Sequence, residues 1–214
     1  MMVLAHRGWW LKPEEKNSRL ALSRAFENGF GVETDIRDLN GDLVVAHDMP
    51  SSGVGVLKFD DFLGLYRDSG AGTVLALNIK SDGLSRSIQE ALDAYGVKNY
   101  FVFDMSVPDT LGYLSSGMRV FTRRSEYEEG SRLDIRAEGH WLDAFEGDFV
   151  PCALMRECVA AGKAAALVSP ELHRKQHLLA WQAWFDVARD LSDEQRARLM
   201  ICTDFPDKAR SFFG

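Results

Sequence analysis

Short apolar runs alternate with amphipathic stretches along the whole chain, and this alternation constrains the fold more than any other feature of the sequence. Each run has the length of a β-strand, whereas the stretches between runs show apolar residues at helical spacing. The eight predicted strands are residues 2–6, 31–36, 73–79, 99–104, 118–122, 140–145, 164–169 and 199–203. Eight strand–helix repeats in 214 residues are typical of a compact (β/α)8 barrel of the α/β class, although a doubly wound open sheet has the same alternation. Because no linker interrupts the pattern, we predict a single domain over residues 1–214.

Local signals refine this pattern. The turn pair Asn40-Gly41 predicts a β-hairpin whose second strand is a ninth short run, residues 42–47. An amphipathic helix is predicted over residues 18–28, with Gly29 at the position that ends it. Two Ser-x-x-Glu/Gln pairs have the spacing of an N-terminal capping box, Ser125 with Glu128 and Ser192 with Gln195.

Composition excludes several classes of protein. The net charge is −7 and no run of Lys and Arg stands out, so we expect no nucleic-acid partner, whereas a small phosphate ester remains compatible with local cations. The absence of an apolar run of about eighteen residues argues against stable membrane insertion, and we expect a cytoplasmic protein. The three cysteines lack the spacing of a zinc site, so we expect reduced thiols.

Polar and charged residues concentrate where the first strands end, which is where barrel enzymes build their active sites. The residues concerned are His6, Arg7, Glu33, Asp35, His47, Asn78 and Lys80. Taken singly, each has a structural interpretation: a hydrogen-bonded core histidine, a surface ion-pair ladder, or turn chemistry. Because all of them fall at strand ends of the first half of the chain, we predict that they share one functional site.

These residue types indicate metal-assisted acid–base chemistry. Glu33 and Asp35 lie two apart on one strand, so both carboxylates point to the same side, and oxygen ligands suit Mg²⁺ or Ca²⁺. His6 and His47 are suited to proton transfer near neutral pH. The Arg7 guanidinium offers several N–H donors in a forked arrangement, and the Lys80 ammonium offers a single positive charge. Both kinds of group bind phosphate oxygens.

The motifs AHRG, PEEKNS, GVETDI and VVAHD, in this order over residues 5–48, resemble the N-terminal signature of the glycerophosphodiester phosphodiesterases, and ICTDFPD resembles the closing motif of that family. The resemblance implies a (β/α)8 barrel that cleaves a small phosphodiester. It also implies that His6 and His47 are the catalytic acid–base pair, that Glu33 and Asp35 hold a divalent cation, and that Arg7 and Lys80 contact the phosphate. In the implied reaction, a substrate hydroxyl attacks phosphorus, a cyclic phosphate forms, and water opens it.

The chain departs from the family pattern in two places. The third strand ends in Asn78-Ile79-Lys80 where the family has Glu-x-Lys, so we expect Asn78 to be the third metal ligand and the metal affinity to be weaker. Only about thirty residues, with one helical stretch at 59–67, separate His47 from Asn78. We therefore expect the insertion subdomain of many members to be missing and the pocket to be more open. Asn17, within an irregular Pro-Glu-Asn-Ser stretch, is placed near the site.

Two other functions remain open. A phospholipase D-like or phosphatidylinositol-lyase-like enzyme on the same barrel would release a cyclic phosphate, and a non-catalytic relative would bind a phosphate ester without turnover. Trp9, Trp10 and Trp141 either form an apolar wall at the pocket or pack in the core. Further charged residues near strand ends either shape specificity or form a solvated rim, namely Asp104, Arg123, Asp143, Glu146 and Glu171.

Overall fold

The structure is a computed structural model that describes residues 1–50, 55–146 and 151–214. Two compact units are present. The N-terminal unit comprises Ala5–Val120, and the C-terminal unit comprises Phe121–Gly214 together with Met1–Leu4. The prediction of a single domain stays a prediction, and each unit is described by itself.

The N-terminal unit alternates strands and helices. Its strands are β1 (Met2–His6, of which residues 5–6 belong to this unit), β2 (Gly31–Leu39), β3 (Asp42–Val45), β4 (Leu57–Lys58), β5 (Leu75–Ile79) and β6 (Tyr100–Phe103). Its α-helices are α1 (Arg19–Glu27), α2 (Phe59–Leu65), α3 (Ser85–Ala94) and α4 (Val107–Ser115). A 3₁₀ turn covers Pro13–Glu15, and a π-helical turn continues α2 over Tyr66–Gly70.

The register of the strands positions the predicted site. β2 pairs in parallel with β5, and Asp35 lies opposite Asn78. β2 also pairs with β3 in the predicted hairpin, whose turn is possible because Asn40 and Gly41 both adopt positive φ angles, 52° and 90°. The parallel pairing of residues 32–36 of β2 with residues 75–79 of β5 makes the side chains of these two segments neighbours.

Helix α1 is anchored directly behind the end of β1. The Ser18 side chain caps the helix by accepting a hydrogen bond from the Ala21 backbone N–H at 3.2 Å, and Gly29 follows the helix with a φ of 73°. Gly8 approaches this helix so closely that an added Cβ would lie 2.7 Å from the Ala21 carbonyl carbon. Glycine at this position therefore allows the chain to turn tightly from β1 into the loop before α1.

The C-terminal unit repeats the same alternation. Its strands are β7 (Phe121–Arg124), β8 (Gly139–Leu142), β9 (Ala164–Val168) and β10 (Leu199–Thr203), and β7–β8, β8–β9 and β9–β10 pair in parallel. Its α-helices are α5 (Leu133–Arg136), α6 (Cys152–Ala160), α7 (Leu178–Arg189), α8 (Asp193–Arg196) and α9 (Pro206–Phe213). Counting β1, the described residues thus contain eight strands that are each followed by a helix, as predicted, plus the short hairpin strands.

Some local predictions need correction. The capping box of Ser192 and Gln195 is confirmed at the start of α8. That of Ser125 and Glu128 is wrong, because these residues form an antiparallel bridge after β7 and the Ser125 hydroxyl donates to the Glu128 carboxylate at 2.8 Å. The same Ser-x-x-Glu spacing also occurs in tight turns. A capping box requires a helix to begin at the serine, and the next helix, α5, begins only at Leu133.

Two further sequence expectations concern the cysteines and membrane insertion. The cysteines are free thiols, as expected: Cys152 is half-buried, and Cys158 and Cys202 are buried. Within the described ranges, every helix is too short or too polar to cross a lipid bilayer. The cytoplasmic location stays a prediction.

Candidate active site

Two carboxylates and an amide lie buried where β2 pairs with β5: Glu33 and Asp35 in the paired segment of β2, and Asn78 near the carboxyl end of β5. Glu33 is 2% exposed, Asp35 is 0% exposed and Asn78 is 8% exposed. Glu33 and Asp35 point to the same side of β2 because they are two residues apart. Burial of two carboxylates side by side is costly unless cations or hydrogen bonds compensate their charges.

The negative charge of Asp35 is offset by more contacts than that of Glu33. The Arg7 Nε lies 3.0 Å from Asp35 Oδ2, and the Lys80 Nζ lies 3.4 Å from Asp35 Oδ1. The Asn17 side-chain amide also donates to Oδ2 at 2.8 Å. Arg7 and Lys80 are therefore held together on one carboxylate, which places two cationic groups where a phosphate could bind.

Fewer and weaker contacts offset the negative charge of Glu33. The His6 Nε2 lies 3.9 Å from Glu33 Oε2, and the Asn78 side chain is hydrogen bonded to the same carboxyl group. Burial, followed by the negative charge of Asp35, raises the pKa of Glu33 to about 8, against the opposing effects of Arg7 and Lys80. Without a further positive charge, this environment favours the protonated acid.

Three buried oxygens of this cluster make no hydrogen bond within the described part of the chain: Glu33 Oε2, Asn78 Oδ1 and Asp35 Oδ1, the last of which has only the Lys80 ammonium at 3.4 Å as an ion-pair partner. Buried acceptors are normally satisfied, so their clustering calls for an explanation. Two carboxylate oxygens and one amide oxygen form a donor set that hard divalent cations prefer. The residues present therefore fit such a cation, which would also offset the like charges of Glu33 and Asp35.

The cluster differs from an all-carboxylate metal site. Over residues 1–50, 55–146 and 151–214, no three His, Cys, Asp or Glu side chains are grouped so that they could hold a metal ion. The candidate set contains only two carboxylates, and its third member is the amide of Asn78. These ligands therefore carry less negative charge than three carboxylates would.

Within the described residues, the His47 side chain pairs with Asp48 and with none of the other six predicted site residues. Its Nδ1 is 2.8 Å from Asp48 Oδ1, its backbone carbonyl accepts from Arg37 at 3.2 Å, and its side chain is 43% exposed. These contacts orient the ring and leave Nε2 as the nitrogen away from Asp48. The structure brings together His6, Arg7, Glu33, Asp35, Asn78 and Lys80, whereas the recorded contacts of His47 are to residues outside this cluster.

The backbone around the cluster is held in an uncommon conformation. Arg7 and Asn17 have φ angles of 57° and 59°, in the left-handed region that few residues other than glycine adopt. The Arg7 N–H donates to the Glu33 carbonyl at 2.8 Å, and the Asn17 N–H donates to the Arg7 carbonyl at 2.9 Å. Such conformations cluster at functional sites, where surrounding contacts maintain them.

The C-terminal unit carries polar groups of its own at strand ends. Asp143, after β8, pairs with His173 Nε2 at 2.7 Å. Glu171, after β9, accepts hydrogen bonds from the Ser169 and Thr203 hydroxyls and from the Asp204 N–H. Asp143 and Glu171 are thus internally paired rather than solvated. The sequence singled out both acids but not His173, which follows β9 without a recognisable motif.

Two of the three tryptophans singled out in the sequence pack against the fold, and the third contacts a lysine. Trp141 is 5% exposed within β8, and Trp9 packs edge-to-face on Phe30 at 5.5 Å, as the packing interpretation requires. Trp10 carries the Lys16 ammonium 4.4 Å from its ring centroid. The apolar-wall interpretation is therefore not needed for Trp9 or Trp141.

Neither the known protein-family models nor the curated proteins include a match to this chain. Solved structures do match it. A glycerophosphodiester phosphodiesterase from Parabacteroides distasonis ATCC 8503 is similar with a TM-score of 0.75 at 16% identity, over 99% of this chain and 96% of that chain. One from Thermotoga maritima has a TM-score of 0.70 at 16% identity, over 99% and 98% of the two chains.

A phosphodiesterase from Oleispira antarctica, solved in complex with the product sn-glycerol-3-phosphate, has a TM-score of 0.73 at 15% identity, over 99% of this chain and 96% of that chain. The matches extend over almost the full length of all three structures. The chain therefore has the fold of the glycerophosphodiester phosphodiesterases, and the predicted (β/α)8 barrel class is confirmed.

Proposed function

We propose that this protein is a metal-dependent phosphodiesterase that hydrolyses a small phosphodiester of the glycerophosphodiester type. The observation that carries the proposal is a group of three buried oxygens that make no hydrogen bond, on Glu33, Asp35 and Asn78, beside two cationic side chains. Enzymes of the same fold, including one solved with sn-glycerol-3-phosphate, support the substrate class.

Each residue has a role in this proposal. Glu33, Asp35 and Asn78 would hold Mg²⁺ or Ca²⁺, and the bound cation would stabilise negative charge that develops on the phosphoryl oxygens. Arg7 and Lys80, which pair with Asp35 in this structure, would bind the phosphate.

His6 and His47 would move the protons. One histidine takes the proton of the attacking substrate hydroxyl, and the other gives a proton to the leaving alcohol as the phosphorus–oxygen ester bond breaks. The new bond closes a cyclic phosphate. A water molecule then opens the ring, and the two histidines exchange their roles as base and acid.

The test is turnover of glycerophosphocholine by the purified protein with Mg²⁺ or Ca²⁺, followed by detection of glycerol phosphate. We expect activity with at least one cation, reversible loss of activity in excess EDTA, and recovery when the cation is restored. Full activity in excess EDTA would remove the cation from the mechanism. Absence of turnover with every cation would contradict the proposed function.

Asn78 favours one competing function, because an amide in place of an acid lowers the charge of the ligand set. A non-catalytic relative would bind glycerophosphocholine tightly and leave it intact in the same assay. A phospholipase D-like or phosphatidylinositol-lyase-like enzyme would instead accumulate the cyclic phosphate, which distinguishes it from a hydrolase.

Replacement Asn78→Glu should tighten Mg²⁺ or Ca²⁺ binding by roughly tenfold, since one more negative ligand increases cation affinity. Titration calorimetry with the cation alone measures the effect. Asn78→Asp, which is nearly isosteric with the native residue, should act in the same direction, and Asn78→Ala should weaken binding. Identical titrations for all three variants and the native protein would mean that Asn78 is not a ligand.

A further inference from the structure

Asp35 is held by a side chain that is not itself a candidate ligand. The Asn17 Nδ2 donates to Asp35 Oδ2 at 2.8 Å, and Asn17 Oδ1 accepts from the Thr34 hydroxyl at 2.8 Å. These contacts form a continuous chain from the Thr34 hydroxyl through the amide to the carboxylate. Side chains of neighbouring strand residues point to opposite faces, so the Asn17 amide connects the two faces of β2.

The direction of each hydrogen bond in this chain is determined by chemistry. An ionised carboxylate can only accept, so the Asn17 amide must present its N–H group to Asp35. The amide oxygen then faces Thr34, and the Thr34 hydroxyl must donate to it. Because Thr34 is 0% exposed, water does not substitute for this donor. Thr34 therefore fixes which end of the amide Asp35 meets.

The backbone holds Asn17 in place for this contact. Its φ of 59° lies in the left-handed region, where asparagine is among the most tolerated residues other than glycine, and its N–H donates to the Arg7 carbonyl at 2.9 Å. Asn17 and Arg7 occupy Oδ2 of Asp35, whereas Oδ1 makes no hydrogen bond and has only the Lys80 ammonium, at 3.4 Å, as an ion-pair partner.

We propose that Thr34 is a positioning residue that acts through the Asn17 amide on Asp35, so that Oδ1 rather than Oδ2 faces the divalent cation. This inference rests on the proposed function, because it assigns a cation to the Asp35 carboxylate. Hydrogen-bond partners that orient a ligand typically change metal affinity by 10- to 100-fold when they are removed.

The central test is Thr34→Val, which keeps the shape of the side chain and removes the hydroxyl. Calorimetric titration with Mg²⁺ alone, and separately with Ca²⁺ alone, should show a Kd raised by about tenfold or more. Thr34→Ser retains the hydroxyl and should bind within about twofold of the native protein. Thr110→Val, which removes a buried hydroxyl bonded to the Ser106 carbonyl at 2.8 Å, controls for general destabilisation.

Asn17→Gly provides a second variant, because glycine adopts the same φ and lacks the amide. It should weaken cation binding at least as much as Thr34→Val. The double variant should bind no more weakly than Asn17→Gly alone, since Thr34 acts only through the amide. A purely structural role for Thr34 would instead make the two losses additive.

The outcomes separate this inference from the function on which it rests. A native protein that binds the cation and hydrolyses glycerophosphocholine, together with a Thr34→Val variant of unchanged Kd, overturns the inference alone. Additive losses in the double variant do the same. A native protein that binds neither cation overturns both the inference and the proposed function.

Discussion

Alanine in place of His6 or of His47 is expected to lower the turnover of glycerophosphocholine by roughly 10²–10⁴-fold, the usual contribution of a general acid or base. His6 lies 3.9 Å from Glu33 within the cluster, whereas His47 is oriented by Asp48 and is 43% exposed. Steady-state kinetics, with circular dichroism to verify folding, measures the effect of each substitution.

Asparagine at the same two positions separates proton transfer from packing. It retains a polar, hydrogen-bonding side chain but has no group that titrates near neutral pH, so His6→Asn and His47→Asn should lose as much activity as the alanine variants. Near-normal rates in either pair of variants would reject the acid–base assignment of that histidine. The result matters most for His47, whose recorded contacts lie outside the cluster.

The substitution Glu33→Gln should have opposite effects on activity and on stability. Activity should fall by at least about 10²-fold, because a charged ligand is lost. The metal-free protein should become more stable at pH 8 by about 2 kcal/mol, or roughly 4–8 °C in Tm, because a buried carboxylate beside Asp35 is replaced by a neutral amide. Thermal unfolding in EDTA measures this gain.

The pH dependence gives the sign of this effect. The pKa of Glu33 in the folded protein is raised from 4.5 to about 8, so the folded state holds its proton more tightly than the unfolded state does. The native metal-free protein should therefore lose stability as the pH rises from about 4.5 to about 8, and the loss should level off above that. The Glu33→Gln variant lacks this contribution, so its advantage should grow over the same range.

A matched carboxylate in the C-terminal unit provides the control. The Glu171 side chain is also only 8% exposed, but hydrogen bonds from Ser169, Thr203 and Asp204 satisfy it. Glu171→Gln should therefore lower Tm, the reverse of Glu33→Gln. A lower Tm for both variants would show that Glu33 stabilises the fold and would remove the argument that its burial serves a cation.

Sequence patterns predicted most elements because periodicity and turn chemistry are local. The ranges 2–6 and 199–203 coincide with β1 and β10, and the Asn40-Gly41 hairpin is present. The ends of strands were predicted less accurately. The predicted strand 118–122, for example, overlaps only partly with β7 at Phe121–Arg124. The Ser125–Glu128 error has the same origin, since one short motif serves both a helix cap and a turn.

The grouping of six of the seven predicted site residues follows from the sequence, because polar residues buried at strand ends have few reasons to be there other than a shared site. Alternation along β2 placed Glu33 and Asp35 on one side, and parallel pairing placed Asn78 opposite Asp35. In the described part of the chain the His47 side chain makes no direct contact with the cluster, and the sequence could not predict this, because strand register does not fix the contacts of a residue in the loop after β3.

Sequence by itself determined the strand–helix order, the hairpin and the residue types that meet where β2 pairs with β5, because these depend on side-chain period and on turn residues. Only the tertiary structure decided which atoms within the cluster are satisfied. The Thr34 hydroxyl reaches Asp35 through Asn17, and three buried oxygens among the described residues make no hydrogen bond. Hydrogen bonds between segments depend on distances of a few tenths of an ångström, and no one-dimensional pattern encodes them.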